Sequence, residues 1–312
     1  MKDQKAAYIY AILAVFFWST VATAFKLTLK ELDQFQMLFV ASVSSAAVLF
    51  ISLIIQKKTY LLMQLRTGDI LKSAFLGALN PFAYYLVLFK AYDLLRAQEA
   101  QTLNYFWAII LVLLSIPLLK QKITGKSLAA ILISFFGVYI ISTQGDIFSL
   151  RFTDTFGVAL ALGSAFIWAL YWIYSSKDDK DDSVRLMLNF CFGTIYIALT
   201  MLFASDFSGI TFKGVLGGTY IGSFEMGLTF LFWSKAMKLS ETTAKISNLI
   251  FLSPFLSLIF INFILGEKIL VSTLIGLVFI ISGILLQRKF NKKSLNQAQK
   301  IAEMVSPTDN QT

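Results

Sequence analysis

Ten apolar segments, each near the roughly 20 residues an α-helix needs to cross a bilayer core, occupy most of a chain of 312 residues. They run near 8–25, 35–55, 70–89, 97–118, 127–143, 155–175, 185–204, 214–234, 243–264 and 269–287. Inside hydrocarbon every backbone N–H and C=O must be paired within the protein, which for continuous apolar runs of this length means helices. The expected fold is therefore an all-α integral membrane protein of ten transmembrane helices. Composition agrees, since 57% hydrophobic against 14% charged residues would leave a water-soluble fold with large exposed apolar patches.

Basic residues orient the spans, because Lys and Arg are retained on the cytoplasmic side. Of the 27 Lys and Arg, about 20 fall on the N-terminal side of the membrane by these boundaries, among them Lys2, Lys5, Lys57, Lys58, Lys120, Lys122, Arg288 and Lys289. About 7 fall on the other side, including Lys26, Lys30 and Lys90. Both termini are expected in the cytoplasm of a bacterial-type cell, with the chain multi-pass in the inner membrane. The first apolar run follows Lys2 and Lys5 as in a signal peptide, but it lacks a convincing small-residue cleavage site before Lys26 and many spans follow, so it reads as a retained helix.

Several function classes are disfavoured. The net charge of +9 lies between apolar runs rather than in one stripe, which argues against nucleic acid as a partner. With no His and a single cysteine, Cys191, no zinc or iron–sulfur ligand set is expected, and no cofactor. Gly217-Gly218 lacks a following Gly-Lys-Ser or Gly-Lys-Thr, so ATP binding is not expected either. Few carboxylates lie within the spans, and an enzymatic acid–base constellation is hard to assemble. The run Lys177–Asp182 reads as a solvated linker.

The chain repeats itself. Gly77-Ala78-Leu79-Asn80-Pro81 through Phe89-Lys90-Ala91 returns, displaced by 145 residues, as Gly222-Ser223-Phe224-Glu225-Met226 through Ser234-Lys235-Ala236. Phe16-Phe17-Trp18 answers Phe166-Ile167-Trp168, Asn104 answers Asn248, and Lys122-Ile123 answers Lys268-Ile269. This divides the chain into a first five-span unit, 8–143, an extracytoplasmic connection, 144–154, a second five-span unit, 155–288, and a cytoplasmic tail, 289–312. An odd number of spans per unit makes the second enter from the opposite side, so the repeats are inverted in topology.

Polar groups kept inside apolar spans are the candidate site. A carboxyl at the middle of a helix costs about 2.5–3.5 kcal/mol on insertion scales unless it faces a cavity or a partner, which singles out Glu225 as a holder of an ammonium group or a coupling proton. Asn80 is its counterpart, next to Pro81, whose missing N–H predicts a kink; Pro254 predicts another. Gln101, Asn104 and Trp107 or Ala108 recur at helical spacing and predict a lumen-facing edge that includes Tyr105. Asn248 repeats the theme. Trp18, Tyr84, Trp168 and Trp172 are expected to pack a flat or cationic substrate. Glu99 lies near the outer end, where it is expected to reach water.

With Trp18 and Trp168 early in each unit, and Ser253-Pro254 followed by Leu265-Gly266-Glu267-Lys268, the chain resembles the EamA family of the drug/metabolite transporter superfamily over about residues 8–288. Asn104-Tyr105-Phe106-Trp107 followed by Lys120-Gln121-Lys122 is similar to its aromatic amino acid exporter branch, although Ala108 stands where that branch has Pro. The resemblance implies a central cavity, alternating access and export of aromatic or large apolar amino acids. Carriage of nucleobases or quaternary and cationic drugs is the alternative within transport. A membrane-bound enzyme and a non-transporting scaffold are the alternatives outside it.

Overall fold

The computed structural model describes residues 2–119, 125–146, 148, 154–241, 246 and 248–305. The described residues are 84% helix and include no strand. The first half contains α1 (Gln4–Thr28), α2 (Gln34–Ile55), α3 (Thr67–Gly77), α4 (Tyr84–Leu94), α5 (Ala97–Asn104), α6 (Trp107–Leu119) and α7 (Gly125–Ser142). The second contains α8 (Thr155–Ser175), α9 (Asp182–Ala204), α10 (Phe212–Tyr220), α11 (Thr229–Leu239), α12 (Ser253–Leu265) and α13 (Val271–Val305).

Among the described residues, seven helical stretches are long and apolar enough to cross a membrane: Gln4–Thr28, Gln34–Ile55, Thr67–Leu94, Ala97–Leu118, Thr155–Ser175, Asp182–Ala204 and Phe212–Leu239. Leu128–Ser142, Ser253–Leu265 and Val271–Leu286 are shorter apolar helices. The ten expected segments fall on these elements. The 243–264 segment does so only in its later part, because 242–245 and 247 lie outside the described residues, as do most of the 144–154 connection and the end of the tail.

Local sequence explains the helix starts. Asp3 and Asp154 accept from the Ala6 and Gly157 amides at 3.0 and 2.6 Å, and so cap α1 and α8. Asp33 and Asp181 do the same for α2 and α9, accepting from Gln36 and Ser183 at 2.9 and 3.0 Å. Each cap satisfies an N-terminal amide that the helix itself leaves free. The same residue type therefore starts equivalent helices in both halves.

Those equivalent helices run against each other. At one end of the α2–α9 pair the Gln36 amide donates to the Asp206 and Ser208 carbonyls at 3.1 and 2.9 Å; at the other, Ser183 donates to Gln56 at 3.2 Å and Lys58 pairs with Asp181 at 2.8 Å. The N-terminus of one thus meets the C-terminus of the other. α7 and α13 are also antiparallel, Ser134 donating to the Ile280 carbonyl at 3.2 Å while Gly137 lies on Gly276, where a Cβ would come within 2.5 Å of the Gly276 oxygen. Small residues at this crossing let the two backbones touch. Across the halves α1 packs on α11 and α12, and α8 packs on α4 and α6, a pattern that maps onto itself when the halves are exchanged.

The Lys177–Asp182 linker departs from expectation. Asp178 is buried and pairs with Lys180 at 3.0 Å, while Asp182 accepts from Ser234 at 2.5 Å and pairs with Arg185 and Lys238, each at 2.7 Å. Partial burial pushes the Asp181 carboxyl up, but the Lys58 and Ser183 hydrogen bonds outweigh it and hold the group below the usual carboxylate range. Asp178, Lys180, Asp181 and Asp182 are paired because the linker is folded against the ends of α2, α3 and α11, while Lys177 and Asp179 are exposed.

Candidate functional site

Two long spans are interrupted at equivalent places. Between α3 and α4 the wide turn Ala78–Ala83 includes Asn80, with φ −146° and ψ 119°, and Pro81; between α10 and α11 the wide turn is Ile221–Leu228 and includes Glu225. Wide turns of this kind inside helices loosen the i→i−4 ladder and commonly mark functional positions. A third break, between α5 and α6 at Tyr105 and Phe106, falls inside the segment expected to be one continuous helix. No glycine or proline stands there to signal it.

A cavity of about 500 Å³ lies between the halves. Its wall is built from helical spacings: Tyr84, Leu88 and Tyr92 on α4, Gln101 and Asn104 on α5, Trp107, Leu111 and Ser115 on α6, and Trp168, Trp172 and Ser176 on and just past α8. α1 supplies Trp18, Val21 and Phe25, and α11 supplies Trp233 and Met237. All five tryptophans of the chain line it. Glu225 also lines it, and among the described residues no Lys or Arg does. Tyr92, Phe25 and Gln101 at one end are buried; Ser176 at the other is exposed. The cavity therefore opens toward the end of the bundle that carries the Lys177–Asp182 linker.

Glu225 is 9% exposed; its Oε1 accepts from the Tyr85 hydroxyl at 3.3 Å, and Oε2 has no protein partner. Asn104 is held by both ends of its amide, accepting from the Tyr84 hydroxyl at 3.3 Å and donating to Ser164 at 2.9 Å. The Tyr84 ring stacks on Trp168 with centroids 4.5 Å apart, and Trp168 stacks on Tyr171 at 5.6 Å and meets Trp172 edge-on at 5.9 Å. Trp18 faces Trp233 at 5.4 Å. The result is an aromatic chamber with one carboxyl group and a few fixed amides and hydroxyls. Such a chamber favours a flat apolar body and a positive charge.

Eight of the ten expected binding residues meet at this cavity: Glu225, Asn104, Tyr105, Trp107, Trp18, Tyr84, Trp168 and Trp172. Asn80 does not. It is 0% exposed, off the cavity wall, with neither amide atom partnered, because its turn packs toward α9, where Pro81 meets Gly193. Asn248 begins the short 3₁₀ helix Asn248–Leu252, and its side chain lies outside the described residues. Pro81 sits within the first wide turn as expected, whereas Pro254 stands in the first turn of α12 and starts a helix where a mid-helix kink is expected. Glu99 does not reach water; it is 2% exposed and accepts from the Gln144 amide at 2.8 Å.

Sequence reasoning gives no site role to Tyr92, Trp233, Tyr85 or Ser164. Tyr92 and Ser164 carry a readable signal, lying two turns beyond Tyr84 and one turn before Trp168. Tyr85 carries none, since its contact with Glu225 joins the two halves.

Comparison with known proteins agrees with this architecture. An uncharacterized transporter of Clostridium kluyveri is 28% identical over 311 residues, covering 97% of this chain and 99% of that one. An uncharacterized transporter of Acidianus ambivalens is 30% identical over 70% of this chain and 85% of its own, and one of Archaeoglobus fulgidus is 25% identical over 88% and 94%. A solved crystal structure superposes with a TM-score of 0.65 at 18% identity, covering 91% of this chain and 96% of its own, and so shares the fold. The model of the EamA-like transporter family matches twice, over residues 5–143 and 155–288, one match for each of the halves that exchange in the packing. The chain is a multi-pass membrane protein of the EamA-like transporter family, built from two EamA repeats.

Proposed function

We propose that the protein is an inner-membrane secondary transporter that exports small molecules carrying an ammonium group on an aromatic or large apolar body. Aromatic and large apolar amino acids are the leading members of that class. The observation that carries this reading is the cavity of about 500 Å³, which holds all five tryptophans and one carboxyl group whose Oε2 has no protein partner. In the proposed cycle Glu225 takes the ammonium, or a proton that exchanges with it, Asn104 and Tyr105 meet polar groups, and Trp18, Tyr84, Trp107, Trp168 and Trp172 pack the body. Asn80 acts from outside the cavity wall, by shaping the turn that delivers Tyr84.

Ten spans as two inverted five-helix repeats, with both termini cytoplasmic, complete the reading. The antiparallel pairing of α2 with α9 and of α7 with α13 supports the inversion, and the basic-residue bias supports the orientation. In that orientation the cavity opens to the cytoplasm, and rocking of the halves exposes it to the other side in turn.

A second reading, transport of organic cations that lack a carboxylate, is favoured by one observation: among the described residues no Lys or Arg lines the cavity to meet a substrate carboxylate. Flux of labelled tryptophan and tryptamine in proteoliposomes, with wild type and Glu225→Gln, separates the two. Tryptophan flux lost in the variant supports amino-acid export. Tryptamine flux without tryptophan flux moves the assignment to cations, and no flux of either rejects both readings.

A further inference from the structure

The closed end of the cavity is held shut across the two halves by a small set of partly buried polar contacts. Gln98, in the first turn of α5, is 0% exposed. Its amide donates to the Lys268 carbonyl at 2.9 Å and accepts from the Leu270 amide at 3.0 Å, so both ends of one side chain grip the backbone of the loop between α12 and α13. In return, Glu267 of that loop accepts from the Ala97 amide at 3.1 Å and caps α5, whose own Arg96 makes no side-chain cap.

The loop arrives preshaped. Gly266 ends α12 with φ +70°, a left-handed conformation that glycine adopts without strain, and Asn262 donates to the Glu267 carbonyl at 3.0 Å. On the other side, Gln101 lies one helical turn from Gln98 and lines the cavity, with Asn104 three residues further on the same wall. A single short helix therefore carries the grip at one end and the cavity wall at the other.

We propose that Gln98 and Glu267 form the latch of the closed gate, and that α5 transmits the state of the cavity to it. The inference rests on the alternating-access reading for its meaning, but the latch itself is a claim about which end of the bundle is shut. A grip made by both ends of one fully buried side chain is the kind of contact that opens all at once. While it holds, both the donor and the acceptor of the Gln98 amide are paired; once it parts, both are left buried without those partners, so partial opening is disfavoured. Substrate that draws α5 inward through Gln101 or Asn104 pulls directly on the latch.

The test uses the full-length protein in lipid nanodiscs, with Cys191→Ser as background and one reporter cysteine at a time. Ala97→Cys reports on the latch, since Ala97 is 0% exposed beneath it, and Ser176→Cys reports on the open mouth. Adding Gln98→Ala is expected to raise the rate of maleimide labelling at Ala97→Cys by about tenfold and to lower that at Ser176→Cys, as the population shifts toward the opposite opening. Glu267→Gln, which keeps an acceptor for the Ala97 amide, is expected to change the rate by less than about threefold. An unchanged rate at Ala97→Cys in Gln98→Ala overturns the latch, and so does a rise at both reporters together, which indicates loosening of the bundle. Labelling needs no substrate, so failure of the transport reading appears separately, as absent flux in the proteoliposome assay with the latch result intact.

Discussion

The two wide turns occupy the same place in each repeat yet deliver different chemistry. At Ile221–Leu228 the turn itself presents Glu225 to the cavity; at Ala78–Ala83 the aligned residue, Asn80, is withdrawn and the contribution comes from Tyr84, just past the turn. The backbone differs accordingly, since Asn80 has extended dihedrals ahead of Pro81, while no non-helical residue interrupts the second turn. The two copies then meet, because Tyr85, also from the first, donates to Glu225 of the second. Duplication supplies two symmetric breaks. Function is divided between them by asymmetric side chains.

The largest effect is expected at the second turn. Glu225→Gln keeps the shape of the side chain and its hydrogen-bonding ability but removes the charge. Tryptamine binding, followed by isothermal titration calorimetry, should weaken by about a hundredfold, the scale for losing one partner of a desolvated charge pair. Indole, of similar shape and without the ammonium, should bind within about twofold of wild type. Equal losses for both would mean that Glu225 shapes the cavity and does not select charge.

Trp168→Ala is the next largest, because Trp168 is where the first turn's Tyr84 stacks before reaching the cavity. Aromatic pairing and cation attraction of this kind are each worth about 0.5–2 kcal/mol, so tryptamine affinity should fall about tenfold, and indole affinity should fall too. A loss confined to tryptamine would assign Trp168 to the charge and weaken the division between the turns.

Tyr85→Phe probes the link between the copies. At 3.3 Å the hydroxyl is a long partner for the carboxyl, so its removal should change tryptamine affinity by about two- to fivefold. A hundredfold loss would instead mean that the hydroxyl sets the state of Glu225 and that the two turns act as one unit.

Much of this was legible in the residues. Glu225 stands out because a carboxyl is costly in an apolar span, and the Gln101, Asn104 and Trp107 edge because a helix repeats its faces every three to four residues. What the residues do not carry is non-local. The Gln98 grip on the 268–270 backbone, the Gln144 partner that keeps Glu99 from water and the Tyr85 contact with Glu225 all depend on how helices far apart in the chain pack. Periodicity within one segment carries no signal for them. Asn80 departs from its expected place for a related reason: the repeat pairs it with Glu225, but the repeat does not report that the backbone at Asn80 turns toward α9.

The smallest effect on binding is therefore expected at Asn80. Both atoms of its amide are buried without a protein partner, and a buried polar group that no partner satisfies costs about 1–3 kcal/mol. Leucine has a similar branched shape and accepts the extended dihedrals found before a proline. Asn80→Leu should leave tryptamine affinity within about twofold of wild type and raise stability in detergent by about 1 kcal/mol, read as a higher midpoint in a thermal-shift measurement. The opposite result, a lower midpoint together with a tenfold loss of affinity, would show that the Asn80 amide holds a water or a substrate group in the working cycle. The first turn would then be a binding element in its own right, and the two copies would be more nearly equal partners than their positions in this structure indicate.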